Sequence, residues 1–194
     1  MKKLFYAIAI TGAVFSFQGC GNSANNADDD ADSSTMTTDT TMAPETLPAD
    51  TGLNETTFAN KAAVGGMAEV EFCKLALEKT RNAKLKDFAN MMVKDHGKAN
   101  EELKTIATAK NMKLPAALDQ EHQAKLEELK SKSGADFDKA YAAAMVEGHE
   151  KTLALMVDGS TKLQDAELKG FAAKTSPVVQ HHLELITSIQ AELK

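Results

Sequence analysis

Three of the five histidines stand where chemistry could be done. His96 follows Met92 and precedes Ala99 and Leu103, His149 lies between Met145 and Leu153, and His182 lies between Val178 and Ile186. Residues three and four apart share one face of a helix, so each imidazole is expected to turn toward a core. Glu69 has Gly65, Phe72, Cys73 and Ala76 as same-face neighbours, whereas Glu71, beside Met67 and Lys74, is nearer an edge. Glu69 is therefore the expected inward carboxylate. Buried ionisable groups are costly unless they are paired, hydrogen-bonded or coordinated, and two arrangements satisfy these four. Three imidazoles and a carboxylate make a mononuclear site for one transition-metal ion, with zinc, iron, copper and manganese all suited to Glu69, His96, His149 and His182 as ligands. The alternative is a metal-free polar layer in which the histidines bond to Glu69, Asp95, Tyr141 or water and fix helix register.

Other chemistries fare worse. A di-iron carboxylate centre needs Glu-x-x-His on two helices, yet Val93, Val146 and Val179 stand three residues before the histidines, which argues against ferroxidase chemistry. No serine or cysteine nucleophile has a base near it in pattern, so a hydrolase is not expected and no catalytic residue is assigned. Gly65-Gly66 falls inside a helical stretch and reads as a close-packing site rather than a phosphate loop. His122, in Asp119-Gln120-Glu121-His122, reads as a solvated face, and His181 as an edge position. Asp95 stands where it either orients an imidazole or faces solvent. Met67, Met91, Met92, Met112, Met145 and Met156 are scattered through the pattern and read as core filling rather than a copper cluster. Cys73 reads as a buried free thiol.

The elements that must position these residues are helices, because apolar residues recur at three and four and few strand-like runs occur. The spacing predicts helices over about Glu55–Thr80, Ala83–Lys110, Asp136–Asp158 and Asp165–Leu193. A shorter one is predicted from Pro115 to Lys132, and Pro177 should kink the last. If the four long helices pack antiparallel, the three histidines and Glu69 fall at one height. Two hairpins joined by a longer crossover predict an all-α fold: a ferritin-like four-helix bundle with a short extra helix in the crossover between long helices 2 and 3.

The N-terminus reads as an address. Lys2 and Lys3 precede an apolar run from Leu4 to Phe17 that ends at Gly19-Cys20, the layout of a lipoprotein signal peptide over residues 1–19. Cys20 is the expected lipidation site, joining the chain to a membrane through its acyl chains. Gly21 after the cysteine favours an outer-membrane anchor facing the periplasm of a bacterial envelope. Residues 20–53 form the expected disordered, acidic Ser/Thr/Asp-rich tether: from Gly21 to Leu53 there is no Lys, Arg or aromatic residue, and the segment carries six Asp and one Glu. Its Asp28, Asp29, Asp30 and Asp32 lack EF-hand spacing, so a tether is preferred to a calcium loop. The net charge is −6, and the tether alone carries −7. Residues 54–194, the expected bundle domain, are close to neutral, which argues against nucleic acid as a partner.

Several blocks, GGMAEVEFCKLALEK, LKDFANMMVKDHGKANEELKTIA, LPAALDQEHQAKLEEL, GADFDKAYAAAMVEGHEKTLALM and LKGFAAKTSPVVQHHLELI, together resemble the DUF4142 family of bacterial envelope proteins, a domain of unknown function placed among ferritin-like folds. The resemblance runs from about Asn54 to Ile189. Asp95-His96, Tyr141 with His149, and His181-His182 stand where the family's pattern places them. It implies the fold and supplies no activity. Two functions remain open: an envelope module binding a transition metal or small ligand at the mid-bundle layer, and a non-enzymatic envelope or stress-related interaction module whose histidines are structural.

Overall fold

A computed structural model describes residues 52–193. The expectations for the signal peptide, Cys20 and most of the tether fall outside those residues. The described chain forms five helices: α1 (Glu55–Lys79), α2 (Ala83–Ala109), α3 (Gln120–Ser131), α4 (Gly134–Lys162) and α5 (Ala166–Glu192). Each start but one has a side-chain cap: Asn54, Asn82, Asp119 and Asp165 accept hydrogen bonds from the first free backbone N–H groups of α1, α2, α3 and α5. Ser133 caps α4 without such a bond, and Gly134 opens it at φ 55°, a left-handed conformation that suits glycine.

Tight loops make α1 with α2 and α4 with α5 the closest pairs; α1 also meets α4, α2 meets α5, and α3 lies over α1 and α4. Contacts fix the directions. Gly66 faces Asn100 across α1 and α2, Gly65 faces Thr152 across α1 and α4, and Gly159 faces Ala172 across α4 and α5. Glu102 pairs with Lys174 across α2 and α5, about two turns further along from His96 and His182. All four neighbouring pairs are thus antiparallel, so α2 and α4 run the same way and the crossover carrying α3 must return along the bundle. This is the ferritin-like wiring, as expected.

Two boundaries differ from the sequence expectation. The crossover helix starts at Gln120 rather than Pro115, because the Asp119 carboxylate accepts from the His122 N–H at 2.9 Å and sets the first turn there. Helix α4 runs past Asp158 to Lys162, so Gly159 is a helix residue instead of a turn residue. A Cβ on Gly159 would stand 2.5 Å from Phe58 Cε2, so the glycine serves close packing of α4 on α1. On α5 the inward valine is Val179 (1% exposed) and not Val178 (42%), the alternation 168, 171/172, 175, 179, 182, 186 holding the stripe. Pro177 lies inside α5, which is helical on both sides of it.

The core divides into two apolar clusters. One gathers Phe72, Cys73, Leu85, Phe88, Met92, Leu129, Phe137, Tyr141, Met145 and Ile186. The other gathers Phe58, Ala59, Leu103, Met156, Leu163, Leu168 and Phe171. Glu69, His96, His149 and His182, all buried, lie between the two along the helices.

Candidate metal centre

Each long helix delivers one member of this layer. Glu69 comes from α1, His96 from α2, His149 from α4 and His182 from α5, and their exposures of 3%, 6%, 0% and 1% place them in the bundle interior. Glu71, by contrast, is an exposed partner of Lys74. The ring centroids of the three imidazoles are 5.5 Å (His96 to His149), 5.4 Å (His96 to His182) and 5.8 Å (His149 to His182) apart. One nitrogen from each ring lies within 4.8 Å of the other two.

Which nitrogen points where follows from the outer partners. His96 Nδ1 lies 2.8 Å from Glu69 Oε2, close enough for an ion pair although not aligned as a hydrogen bond. His149 Nδ1 donates to the Met145 carbonyl at 2.7 Å, one turn back on α4, and Glu69 Oε1 lies further off at 3.5 Å. His182 Nε2 faces Asp95 Oδ2 at 3.4 Å. A carboxylate or carbonyl thus holds one nitrogen of every ring, which fixes the tautomer and leaves the opposite nitrogens inward. His96 Nε2 and His182 Nδ1 meet at 3.3 Å, and the buried His149 Nε2 has no hydrogen-bond partner. Thr152 Oγ1 donates to Glu69 Oε1 at 3.3 Å.

Electrostatics sort these groups. Burial works to raise Glu69, but the charge and bonding of His96, with His149 and Thr152 behind, outweigh it and hold the carboxyl below its ordinary value. Burial works against a charged His96; Glu69 overcomes it, so this imidazole lies above its usual value. In His149 burial outweighs the pull of Glu69, and His96 adds to it, giving a lowered value. His182 is pushed down to about 4 by burial first and by His96 and His149 next, against Asp95. Glu69 and His96 thus favour each other's charged forms, whereas the surroundings of His149 and His182 favour the neutral imidazole.

Neutral imidazoles are metal ligands. With metal–nitrogen bonds of about 2.0–2.1 Å, the edge of a tetrahedral site is about 3.3–3.4 Å, which the His96 to His182 contact already has. Glu69, grouped with the histidines from sequence, sits against the outer nitrogen of His96 and outside the three-nitrogen cluster. Thr152 was not singled out from sequence, although it stands three residues after His149 on the same face. His122 is half-buried on α3 with Nδ1 2.6 Å from its capping Asp119, and His181 is exposed. Cys73 is a buried free thiol whose Sγ lies 3.1 Å from Tyr141 Oη, and burial pushes its pKa up to about 12.

Fold and site define a ferritin-like four-helix bundle with a buried histidine layer at mid-height. The chain matches the family model described as "Domain of unknown function (DUF4142)" over residues 37–189, and it belongs to that family. No curated protein matches it significantly. Among solved structures, CopM in the Cu(II)-bound form superposes with a TM-score of 0.64 at 16% identity, over 73% of this chain and 99% of CopM. A DUF305 fragment from Deinococcus radiodurans gives 0.64 at 10% identity, over 71% and 95% of the two chains. CopM in the apo form gives 0.59 at 15% identity, over 70% and 95%. At such identities the likeness is one of fold.

Proposed function

We propose that this protein is an envelope lipoprotein that binds one transition-metal ion, copper above others, at His96, His149 and His182. The observation that carries the reading is the convergence of three inward imidazole nitrogens in the buried interior, each ring anchored from behind. Such a donor set suits divalent first-row ions, among which affinity peaks at Cu(II). The structural neighbour CopM, named in Cu(II)-, Cu(I)- and Ag-bound forms, adds support by its fold. Glu69 and Asp95 would orient His96 and His182, and drawing three nitrogens at most 4.8 Å apart to a tetrahedral edge asks for side-chain shifts of about 1–2 Å. Acylation of Cys20 would fix the domain to the outer membrane, on a tether whose seven carboxylates keep it solvated. No helix among the described residues is long and apolar enough to cross a membrane.

The test is elemental analysis of the full chain, purified without a metal-binding tag and equilibrated with Cu(II), beside a His96→Ala, His149→Ala double variant. One equivalent of copper in the parent and none in a variant of unchanged helical circular dichroism is expected. Copper absent from both, or equal in both, would leave a polar layer that holds the bundle in register. For the anchor, labelled palmitate should be incorporated by the parent and not by Cys20→Ser.

A further inference from the structure

The three histidines are sealed inside the bundle, so an ion needs a path to them. A groove of about 1250 Å³ runs between α1 and α4, with α3 along its rim. Of the four layer residues it is Glu69 that lines this groove, together with Gly65 from α1 and Gly148 and Thr152 from α4. The two glycines keep the floor open. A Cβ on Gly148 would stand 3.3 Å from Glu69 Oε1, and one on Gly65 would reach only Thr152 Oγ1, at 3.8 Å. The groove's rim carries Asp119 and His122, an imidazole held by a carboxylate at 2.6 Å. Glu69 therefore has one side toward the groove and the other toward His96 and His149, at 2.8 and 3.5 Å. Its bond to Thr152 is long, at 3.3 Å, and its Oε2 has no aligned hydrogen-bond donor, so the pair with His96 at 2.8 Å is the main contact the carboxylate gives up to meet an ion in the groove.

We propose that the ion reaches the histidines through the α1–α4 groove and that the Glu69 carboxylate is its first protein ligand, passing it on to the imidazole nitrogens. The proposal rests on the metal-binding reading above and adds the route. A carboxylate suits the first contact, because it takes a hydrated cation without losing a proton and its charge attracts the ion into the groove.

The experiment is stopped-flow mixing of the full chain with Cu(II), followed by quenching of tyrosine emission, together with dissociation into excess chelator. Gly65→Leu fills the groove from a position where Cβ meets no hard contact. Gly170→Leu, at an exposed site of α5 with nothing within 4 Å of Cβ, is the control. A plug on the path raises one barrier for both directions. Gly65→Leu should slow association and dissociation alike, by about tenfold or more, with Kd unchanged and the control at parent rates. Association at the parent rate in Gly65→Leu would overturn the route, as would a changed Kd without matched slowing. If Gly65→Leu does not fold, Gly65→Val, a smaller fill at the same position, carries the test. A parent that takes up no Cu(II) defeats the metal-binding reading itself, and so differs from a parent that binds while its plugged variant binds equally fast.

Discussion

His182 refuses a proton that the unfolded chain would take. Its folded value of about 4 lies below the ordinary 6.5, and His149 is shifted the same way. Between those values the unfolded state binds more protons, so stability falls as pH drops from about 6.5 toward 4. Glu69, lowered, loses its contribution as pH falls through its folded value; His96, raised, contributes below its unfolded value and loses that as pH rises. Glu69 acts only below its ordinary 4.5, and between about pH 6.5 and 4.5 the two lowered imidazoles outweigh the one raised one. Urea unfolding of metal-free protein should show a loss on the order of 1–2 kcal/mol between about pH 7 and pH 5, and His182→Gln should flatten the slope. Unchanged midpoints would contradict this charge assignment. Cys73 makes a second residue-level prediction. In a Cys20→Ser chain, where it is the remaining thiol, a maleimide should react only as fast as the protein unfolds, because a thiol of pKa about 12 under 0% exposure offers no thiolate.

At the scale of helices, glycines set how closely axes approach. Alanine at Gly159 gains helix propensity of about 1 kcal/mol but drives a Cβ to 2.5 Å from Phe58 Cε2 and 3.1 Å from Ala172 Cβ. Gly159→Ala should lower stability by about 1–2 kcal/mol, whereas Gly170→Ala, in open space, should raise it by up to about 1 kcal/mol. Thermal melts give both signs. A second close approach, Gly66 against Asn100, has its hypothetical Cβ 2.1 Å from Oδ1. These contacts explain what was legible. The three-and-four spacing around His96, His149 and His182 turned those side chains inward, because burial of a stripe depends on local periodicity alone. The end of α4 and the start of α3 were misplaced, because a glycine inside a helix and one that ends it read alike until Phe58 is known to sit opposite. Val178 and Val179 were likewise exchangeable, both being one turn before His182. The partnerships of Glu69 with Thr152 and of Cys73 with Tyr141 join residues 83 and 68 positions apart, and only the packed bundle shows them.

For the molecule as a whole, an ion bound as proposed would hold α2, α4 and α5 together at once. Ligand binding to the folded state alone stabilises it by RT ln(1 + [L]/Kd), about 2.7 kcal/mol at a hundredfold excess of free ion over Kd. Titrating Cu(II) should therefore raise the melting temperature of the parent along a logarithmic curve and leave the His96→Ala, His149→Ala variant unmoved. A rise in both would trace the stabilisation to surface sites.

The division of the layer between the two hairpins also sets the order in which the protein can finish folding. The α1–α2 hairpin is made with Glu69 and His96 but without His149 and His182, so the first half must wait with two polar side chains on the face it will later bury. The α4–α5 hairpin closes that face only once α5 has emerged. Until then the four-residue layer is incomplete, with one of its three imidazoles on the half already made.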